Sequence, residues 1–358
     1  MLSNTITLLL SCASALALAF ASPSPHQKPK ALSSGNETAV RLLYEYPLGT
    51  FVEAIAVRPN GELLITLPYN FSVHSINPLH SNYTPKVVHN FDGLTIFGIT
   101  EYDRDVYAVN GGSFSSSTGP VAGTFRVDSL NLTHTTATSS TIANISSGQF
   151  LNGMTSLPRW GIGPSNVLVN DVAAGVVYNL DPISGKYFIA INNTYTQVHQ
   201  HTNLGAVGVN GIKVGDGMAY LTNTGLGMLV RFPIRENGTE VAGGAVDILS
   251  HEANSTWFYD DFALRETIAY ITTGSGNSIE RVVAPAVDSR GPITSEIVAG
   301  SLNSTGVAGP TAATFGRTPW DSHILYVTTI GASNVPVDGR IRIGAQVLAI
   351  DTKLCSWF

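Results

Sequence analysis

A repeat of about 52 residues is the feature that most restricts how this chain can fold. Six segments that alternate between polar and apolar residues begin the repeats, and their first residues lie 44, 55, 58, 50 and 51 positions apart. The six segments are Glu53–Val57, Phe97–Glu101, Asn152–Ser156, Asn210–Val214, Asp260–Leu264 and Thr311–Phe315. A period near 50 residues is typical of the four-stranded blades of a β-propeller.

The other segments of each repeat have the β-branched and aromatic residues of strands. The second segments are Leu63–Thr66, Tyr107–Asn110, Val167–Asn170, Tyr220–Asn223, Tyr270–Thr273 and Tyr326–Thr329. Third segments include Thr124–Asp128, Val177–Asp181 and Val347–Asp351, and fourth segments include Val87–Phe91, Tyr187–Ile191 and Val246–Ser250. We therefore predict an all-β, six-bladed β-propeller with four antiparallel strands per blade. The alternative is an irregular β-sandwich with coincidental spacing.

The ends of the repeat array predict how the ring closes. The sixth repeat ends after its third strand, near Asp351, and an unassigned strand, Arg41–Tyr46, precedes the first repeat. We expect this N-terminal strand to complete the sixth blade, because pairing there removes an open sheet edge. Residues 41–358 are thus predicted to form a single propeller domain.

The N-terminus and the sequons predict the secretory pathway. Residues 1–21 have an apolar stretch that ends in Ala19-Phe20-Ala21, as in a signal peptide, and residues 22–40 read as a flexible leader. N-x-S/T sequons occur at Asn36, Asn70, Asn82, Asn131, Asn144, Asn192, Asn237, Asn254 and Asn303. Composition alone would give only about four or five, so we expect a secreted glycoprotein. Random polar composition is the alternative.

Charge and cysteine content exclude several classes of function. Charged residues make up 12% of the chain and the net charge is −6, which leaves no basic surface for nucleic acid. Outside the signal segment no stretch is apolar for long enough to span a membrane. Cys355 is the only cysteine after that segment, so no intramolecular disulfide is expected; it is either incidental or a link to another chain. We expect a monomer, although the sequence leaves an oligomer open.

The first strand of each propeller blade lines the central channel, which predicts where the chemistry lies. The first residues of the six segments should form a ring at one mouth: Glu53, Phe97, Asn152, Asn210, Asp260 and Thr311. Because strand side chains alternate, an apolar layer is expected beneath the ring: Ile55, Ile99, Met154, Ile212, Phe262 and Ala313. Asn152, Phe97 and Thr311 are the candidate substrate-contacting residues of this mouth.

Three members of the ring have the donor atoms of a metal site. Glu53, Asn210 and Asp260 supply two carboxylates and one amide oxygen, which suit a hard cation such as Ca²⁺. The alternative is that they cap strand ends and bond to backbone. Asp261 is the alternative to Asp260 as the ring residue, because one sequence does not show which of these two adjacent side chains points into the channel.

Loops between second and third strands should frame the same mouth. They are Pro68–Asn70, Gly111–Gly123, Asn170-Asp171, Asn223–Gly225, Gly274–Asn277 and Gly331–Gly339, of which the last two have the flexibility of lids. His199 and His201 have the spacing of a metal pair on a strand, although a polar turn is the simpler interpretation. Trp160 and Trp320 fall at the opposite mouth and are interpreted as packing residues. The sequence has no nucleophile elbow, phosphate-binding loop, zinc-protease motif or dinucleotide fingerprint.

Several segments resemble six-bladed propellers of the SMP-30/gluconolactonase type: Phe51–Asn60, Gly175–Asp181, Gly208–Lys213 and Asp260–Leu264. The resemblance extends from about Arg41 to the C-terminus. It implies that Glu53, Asn210 and Asp260 hold a divalent metal and that Asn152 contacts substrate.

More narrowly, the chain resembles a secreted fungal subgroup that includes hetero-Diels–Alderases, which join a tropolone- or polyketide-derived o-quinone methide to a humulene-type sesquiterpene. Three hypotheses follow: a pericyclase of secondary metabolism that takes apolar or aromatic substrates and requires no cofactor, a Ca²⁺-dependent lactonase or esterase, and a non-catalytic binding propeller. No catalytic residue transfers with the narrower resemblance.

Overall fold

The computed structural model describes residues 40–81, 83–115, 118–158, 163–252, 257–287, 289 and 291–355. The predicted signal peptide, the leader through residue 39, Trp160 and the sequons at Asn36, Asn82 and Asn254 lie outside the described residues. The described residues form short strands and three 3-10 turns, at Pro68–Asn70, Gly274–Gly276 and Thr352–Cys355. Within these ranges no helix is long and apolar enough to cross a membrane.

The strands are short, as expected for a chain with 35 glycines and 18 prolines. In chain order they are β1 (Val40–Glu45), β2 (Ile55–Val57), β3 (Leu63–Leu67), β4 (Ser72–Ile76), β5 (Lys86–Asn90), β6 (Thr95–Asp103), β7 (Val106–Gly112), β8 (Phe114–Ser115), β9 (Gly119–Pro120), β10 (Arg126–Asn131), β11 (Thr138–Asn144), β12 (Leu151–Ser156), β13 (Val167–Asp171), β14 (Val176–Leu180), β15 (Tyr187–Ile191), β16 (His199–His201), β17 (Gly205–Val207), β18 (Val209–Gly215), β19 (Met218–Asn223), β20 (Met228–Pro233), β21 (Asp247–His251), β22 (Phe262–Arg265), β23 (Ile268–Thr272), β24 (Ser278–Val283), β25 (Thr294–Gly300), β26 (Pro310–Phe315), β27 (Ile324–Thr329) and β28 (Gln346–Asp351).

Six four-stranded antiparallel sheets form the blades of a propeller, which confirms the predicted fold class. From the channel outwards the blades are β2-β3-β4-β5, β6-β7-β10-β11, β12-β13-β14-β15, β18-β19-β20-β21, β22-β23-β24-β25 and β26-β27-β28-β1. Two small hairpins, β8–β9 and β16–β17, lie outside the blades.

The N-terminal strand closes the ring, as predicted. Strand β1 pairs antiparallel with β28, from Val40 opposite Ile350 to Glu45 opposite Gln346. The sixth blade therefore combines the two ends of the described chain. Its outer edge is no more open than that of the other five blades.

A polar side chain on each second strand ties its blade to the next one. It donates a hydrogen bond to the backbone carbonyl of the next blade's ring residue. The six bonds are Thr66 to Phe97, Asn110 to Asn152, Asn170 to Asn210, Thr222 to Asp260, Thr272 to Thr311 and Thr328 to Glu53. Because the last bond joins blade 6 to blade 1, all six ring residues are fixed at one level of the channel.

The second strands also supply the tyrosines that fill the spaces between blades. Tyr220 and Tyr326 occupy the same position in their blades, opposite Lys213 and Thr314, and Tyr107 lies one position earlier on its strand; each ring is at most 1% exposed. A fully buried aromatic ring contributes much of the apolar area removed from water. Packing between blades, together with the carbonyl bonds, therefore holds the channel walls in place.

Candidate active site

Two cavities occupy the central channel and share one floor. The upper cavity, of about 520 Å³, lies at the mouth where the first strands begin, and the lower cavity, of about 290 Å³, opens toward the other mouth. Glu53, Asn152 and Thr311 line both cavities and so form the partition between them. Cavities of several hundred Å³ are of the size that binds small organic molecules.

All six predicted ring residues line the upper cavity. Glu53, Asn152, Asn210, Asp260 and Thr311 are polar and at most 8% exposed, and Phe97 is 4% exposed. The sequence thus located the polar floor correctly.

The apolar layer predicted beneath the ring is only partly present. Four of its members line the lower cavity: Ile55, Ile99, Met154 and Ala313. The prediction is wrong for Ile212 and Phe262, which are fully buried inside the blades. Lys213 and Asp261 line the lower cavity instead, joined by an ion pair of 2.5 Å, and the Lys213 ammonium lies 5.2 Å from the centre of the Phe262 ring and covers it.

This ion pair also resolves the register of the two adjacent aspartates. The Asp260 carboxylate accepts a hydrogen bond from Asn210 on the floor of the upper cavity, whereas the Asp261 carboxylate pairs with Lys213 in the lower one. Asp260 is therefore the ring residue.

Loops that were expected at this mouth do line the upper cavity. They contribute Tyr69, Phe114, Thr224, Gly274, Ser275, Asn277, Gly331 and Val335–Asp338, and Val172 lines the cavity directly after the predicted loop Asn170-Asp171. Phe114 lies on β8, in the inserted hairpin of blade 2. A left-handed backbone at Gly274 (φ +49°) brings that loop against the Phe258 ring, where a Cβ atom would collide with the ring.

The floor has a marked asymmetry in hydrogen-bond donors. Asn210 Nδ2 uses both of its hydrogens, on Asp260 Oδ1 at 2.8 Å and on Thr224 Oγ1 at 3.1 Å. Asn152 Nδ2 donates one hydrogen to Glu53 Oε1 at 3.0 Å, and its second hydrogen has no partner within the described ranges. The Thr311 hydroxyl is directed at the Glu53 carbonyl at 2.8 Å. Asn152 is therefore the floor side chain with a donor to spare.

Burial perturbs the two carboxyl groups of the floor. Desolvation raises the pKa of Glu53 to about 7, although the hydrogen bond from Asn152 opposes the shift. Burial, with the negative charges of Glu53 and Asp261, raises the pKa of Asp260 well above its usual range. Two carboxyl groups that resist ionisation at one site need either protons or a cation to neutralise them.

The donor atoms on the floor fit a hard divalent cation. Asn210 Oδ1 is buried and accepts no hydrogen bond from the described part of the chain, beside the Asp260 carboxyl group. An unpaired buried amide oxygen is costly, and a cation held with Glu53 and Asp260 would satisfy it. The residues predicted as metal ligands are thus brought together at one end of the cavity.

Aromatic rings that the sequence analysis missed form much of the cavity wall. Phe51, Phe150 and Phe258 each precede a ring residue by two positions, and all three line the upper cavity. Residues two apart in an extended chain point to the same side, so this Phe-x-polar spacing was the signal. Phe114 had no comparable signal, because only the hairpin conformation brings it to the cavity.

Other predicted residues lie away from the chemistry. His201 is buried, and both of its ring nitrogens have partners. Nε2 lies 2.6 Å from the Trp257 carbonyl oxygen, and Nδ1 accepts a hydrogen bond from the backbone N–H of Asn203. Neither nitrogen is therefore free to bind a metal together with His199. Trp320 is 80% exposed, so its interpretation as a packing residue is wrong.

No histidine, lysine, arginine or cysteine is among the described residues that line the upper cavity. The groups that usually activate a serine or cysteine nucleophile are therefore absent from this lining.

Two relatives by sequence cover most of the chain. No family model matches the chain. It is 31% identical over 355 residues to asR5 of Sarocladium schorii, a protein named as a hetero-Diels-Alderase, covering 89% of this chain and 86% of that protein. It is also 31% identical over 356 residues to a hetero-Diels-Alderase of a Phoma species, covering 91% and 94% of the two chains.

Solved structures share the fold at low sequence identity. The calcium-binding protein regucalcin of Agrobacterium tumefaciens matches with a TM-score of 0.58 and 14% identity, covering 88% of this chain and 95% of that one. The PQQ-bound aldose sugar dehydrogenase of Streptomyces coelicolor matches with a TM-score of 0.59 and 10% identity, covering 89% and 99%. These similarities support the propeller fold alone.

Proposed function

Because the chain belongs to the family of the two proteins named hetero-Diels-Alderase, we propose that its upper cavity catalyses a hetero-Diels–Alder cycloaddition between two apolar partners. The observation that carries the proposal is a largely apolar cavity above a floor with one free amide donor, at Asn152. Such a site suits a reaction that needs orientation and polarisation of one carbonyl rather than a nucleophile.

The proposed reaction joins an o-quinone methide, as heterodiene, to an alkene of a humulene-type sesquiterpene. A carbon–carbon bond forms at the methide carbon and a carbon–oxygen bond forms at the former carbonyl oxygen, while the quinoid ring becomes aromatic. No group leaves, no proton is transferred and nothing is oxidised or reduced. The leading proposal therefore requires no cofactor.

Asn152 is the proposed polarising residue. Electron density shifts onto the heterodiene oxygen as the bonds form, so a fixed N–H donor at that oxygen stabilises the transition state more than the ground state. The hydrogen bond from Asn152 Nδ2 to Glu53 Oε1 holds the side-chain amide in place, and the backbone carbonyl of Asn152 accepts a hydrogen bond from Asn110 Nδ2. A pre-positioned donor costs little reorganisation during the reaction.

A metal-dependent lactonase is the second candidate, favoured by the unpaired Asn210 Oδ1 beside Asp260. Glu53, Asn210 and Asp260 would hold the cation. When bound, a divalent cation would supply a Lewis acid for an ester carbonyl and an activated water. In this alternative Asn152 orients the substrate and the apolar walls exclude bulk solvent.

Secretion is also part of the proposal. Five sequon asparagines lie on the exposed surface, at Asn70, Asn144, Asn192, Asn237 and Asn303, and Asn131 is partly exposed. Exposed sequons are open to glycosylation in the secretory pathway. Mass measurement before and after glycosidase treatment of the secreted protein tests this point.

One experiment separates the candidates. The protein, native and exhaustively chelated, is supplied with an o-quinone methide precursor plus humulene, and separately with a panel of lactones. We expect cycloadduct in enantiomeric excess over the buffer reaction in both preparations. Lactone hydrolysis that disappears on chelation, with no rate or stereochemical effect on the cycloaddition, would support the lactonase instead. Absence of both activities would leave a binding protein.

A further inference from the structure

The exposed sequons differ in where they lie relative to the upper cavity. Of the sequon asparagines within the described ranges, Asn303 alone is among the residues that line this cavity, and its side chain is exposed. The sequon, Asn303-Ser304-Thr305, lies in the connection from β25 to β26, which leads into the ring residue Thr311. A residue that both lines a cavity and is exposed lies where the cavity meets solvent. A glycosylation acceptor is therefore present at the entrance of the proposed active site.

The turn that carries Asn303 is held at one place on the rim of the cavity. The Ser304 N–H donates a hydrogen bond to the Ser301 carbonyl at 2.7 Å, so Asn303 is the third residue of a β-turn. Asn277, which also lines the cavity, donates from its Nδ2 to the Leu302 carbonyl at 2.7 Å. The backbone carbonyl of Asn277 accepts a hydrogen bond from the Ser301 N–H at 3.1 Å. A sugar on Asn303 would therefore be attached at a defined point.

The far end of the same loop is anchored as well. The Gly309 N–H donates to Asn277 Oδ1 at 2.8 Å, and Gln346 Nε2 donates to the Thr305 carbonyl at 3.0 Å. Asn277 has a left-handed backbone (φ +51°) at the end of the Gly274–Gly276 turn, a conformation that asparagine adopts more readily than most residues. The loop cannot move away from the cavity without breaking these bonds.

Several apolar side chains of the cavity lining are exposed. Leu302, the neighbour of Asn303, is 50% exposed, Tyr69 is 40% exposed and Val335 is 80% exposed, and all three line the upper cavity. Exposed apolar groups at a cavity mouth suit the capture of an apolar ligand. An N-linked glycan is bulky and hydrophilic. On Asn303 it would occupy part of the path by which such a ligand enters.

On the basis of the proposed secretion and of the proposed function of the upper cavity, we propose that Asn303 carries an N-linked oligosaccharide that narrows the entrance and slows the passage of bulky apolar substrates. On attachment, Asn303 Nδ2 forms a bond to C1 of the first N-acetylglucosamine, the bond from that carbon to the lipid pyrophosphate donor breaks, and one proton passes from Nδ2 to solvent. The glycan lies on the path and not at the floor where substrate binds. It therefore changes the association and dissociation rate constants by the same factor and leaves Kd unchanged.

Thr305 allows the glycan to be removed without loss of the loop. Thr305→Ala abolishes the sequon but keeps Asn303 and the backbone carbonyl that Gln346 binds, whereas Thr305→Ser retains an N-x-S sequon. Thr194→Ala is the matched control. It removes the sequon at Asn192, which is exposed, follows β15 at the outer edge of blade 3 and does not line the cavity. Thermal melts check that each variant is folded.

The experiment uses each protein as secreted from a eukaryotic host. Peptide mass spectrometry measures the occupancy of Asn303, which we expect to be glycosylated in the wild type and in Thr305→Ser. Stopped-flow fluorescence with prodan, a neutral naphthyl ketone whose emission changes in apolar surroundings, measures the two rate constants. Thr305→Ala should raise both about threefold and leave Kd within about 1.5-fold. Thr194→Ala and Thr305→Ser should match the wild type.

An unoccupied Asn303 in the secreted protein would overturn the proposal, and so would a wild type that does not bind prodan. Equal rate constants in the wild type and Thr305→Ala, an equal increase in Thr194→Ala, or a change in Kd alone would also overturn it. A chain that does not enter the secretory pathway would contradict the proposed secretion as well. Occupancy and rate constants as expected, but without formation of cycloadduct, would contradict the proposed function and leave the role of the glycan in place.

Discussion

The two ends of the central channel are built from the same six first strands but have opposite chemistry. Below the shared floor, the charged side chains of the lower cavity form ion pairs, Lys213 with Asp261 and Glu101 with Arg317, each at 2.5 Å. The upper cavity has apolar walls, and its floor keeps an unused donor at Asn152 and an unused acceptor at Asn210. Polar groups that the fold leaves unsatisfied in a buried place are costly, so they indicate where a ligand supplies the missing partner.

The strand connections explain why the ends differ. Upper loops join second to third strands and carry the inserted hairpin with Phe114, whereas the lower turns between first and second strands are short in blades 1, 2, 4 and 5. Longer loops on a rigid scaffold are where binding sites usually lie. We therefore propose that substrate binds at the upper end and that the lower end has a structural role.

The largest expected effect is on the rate of cycloaddition, which should depend on the upper end of the channel and not on the lower end. Asn152→Ala should lower kcat/KM of the cycloaddition about 100-fold, as loss of one fixed donor does in other polarising sites. Ser156→Ala, at the lower end of the same strand, is the control and should stay within about twofold. Initial rates of cycloadduct formation measure both, and equal effects of the two substitutions would remove the distinction between the ends.

Binding of a divalent cation should depend on Asp260 and not on the adjacent Asp261. Glu53→Gln and Asp260→Asn each remove a charged ligand at nearly constant volume and should weaken Ca²⁺ binding at least about tenfold. Asp261→Asn, whose side chain lies in the lower cavity, should change the affinity less than about threefold. Calorimetric titration of the chelated protein decides this. If the wild type binds no divalent cation at millimolar concentration, the three residues are structural and the lactonase alternative fails.

The smallest expected effect is on stability against pH. The pKa of Glu53 is raised from 4.5 in the unfolded chain to about 7 in the folded protein. Between these two pH values the folded state therefore holds a proton that the unfolded state has released. The stability contributed by this protonated form is present below about pH 4.5 and is lost as pH rises through about 7.

Thermal melts of wild type and Glu53→Gln at pH 5 and pH 8 measure this contribution. The melting temperature should fall between pH 5 and pH 8, and this fall should be smaller by a few degrees in Glu53→Gln than in the wild type. Subtraction of the variant removes the contributions of groups that do not interact with Glu53, such as His74, whose pKa is lowered by burial. Asp260 contributes to the difference, because the charge of Glu53 helps to raise its pKa. Parallel curves for the two proteins would show that Glu53 ionises normally.

The fold and the position of the floor could be predicted because they depend on periodic features. The spacing of Glu53, Asn152 and the other ring residues follows from strand alternation and the blade repeat, and the strand Tyr187–Ile191 was predicted to the residue. The donors that tie the blades together are equally regular, because each directly follows the second-strand residue that pairs with the third residue of the first segment. Asn170 follows Val169, which pairs with Met154, and Thr222 follows Leu221, which pairs with Ile212.

The walls of the site could not be predicted in full, because they depend on contacts between distant segments. Phe114 reaches Phe150 at 5.5 Å only through the β8–β9 hairpin, and no periodicity relates the two residues. Similarly, the ion pair between Lys213 and Asp261 joins blades 4 and 5 and displaces the expected apolar layer there. Both features arise from how neighbouring blades meet.

A crystal structure with the cycloadduct bound tests the central claim most directly. We predict that the adduct occupies the upper cavity, with its ring oxygen about 3 Å from Asn152 Nδ2 and its aromatic part against Phe114. An adduct in the lower cavity, or one whose oxygen faces Asn210 and Asp260, would contradict the account.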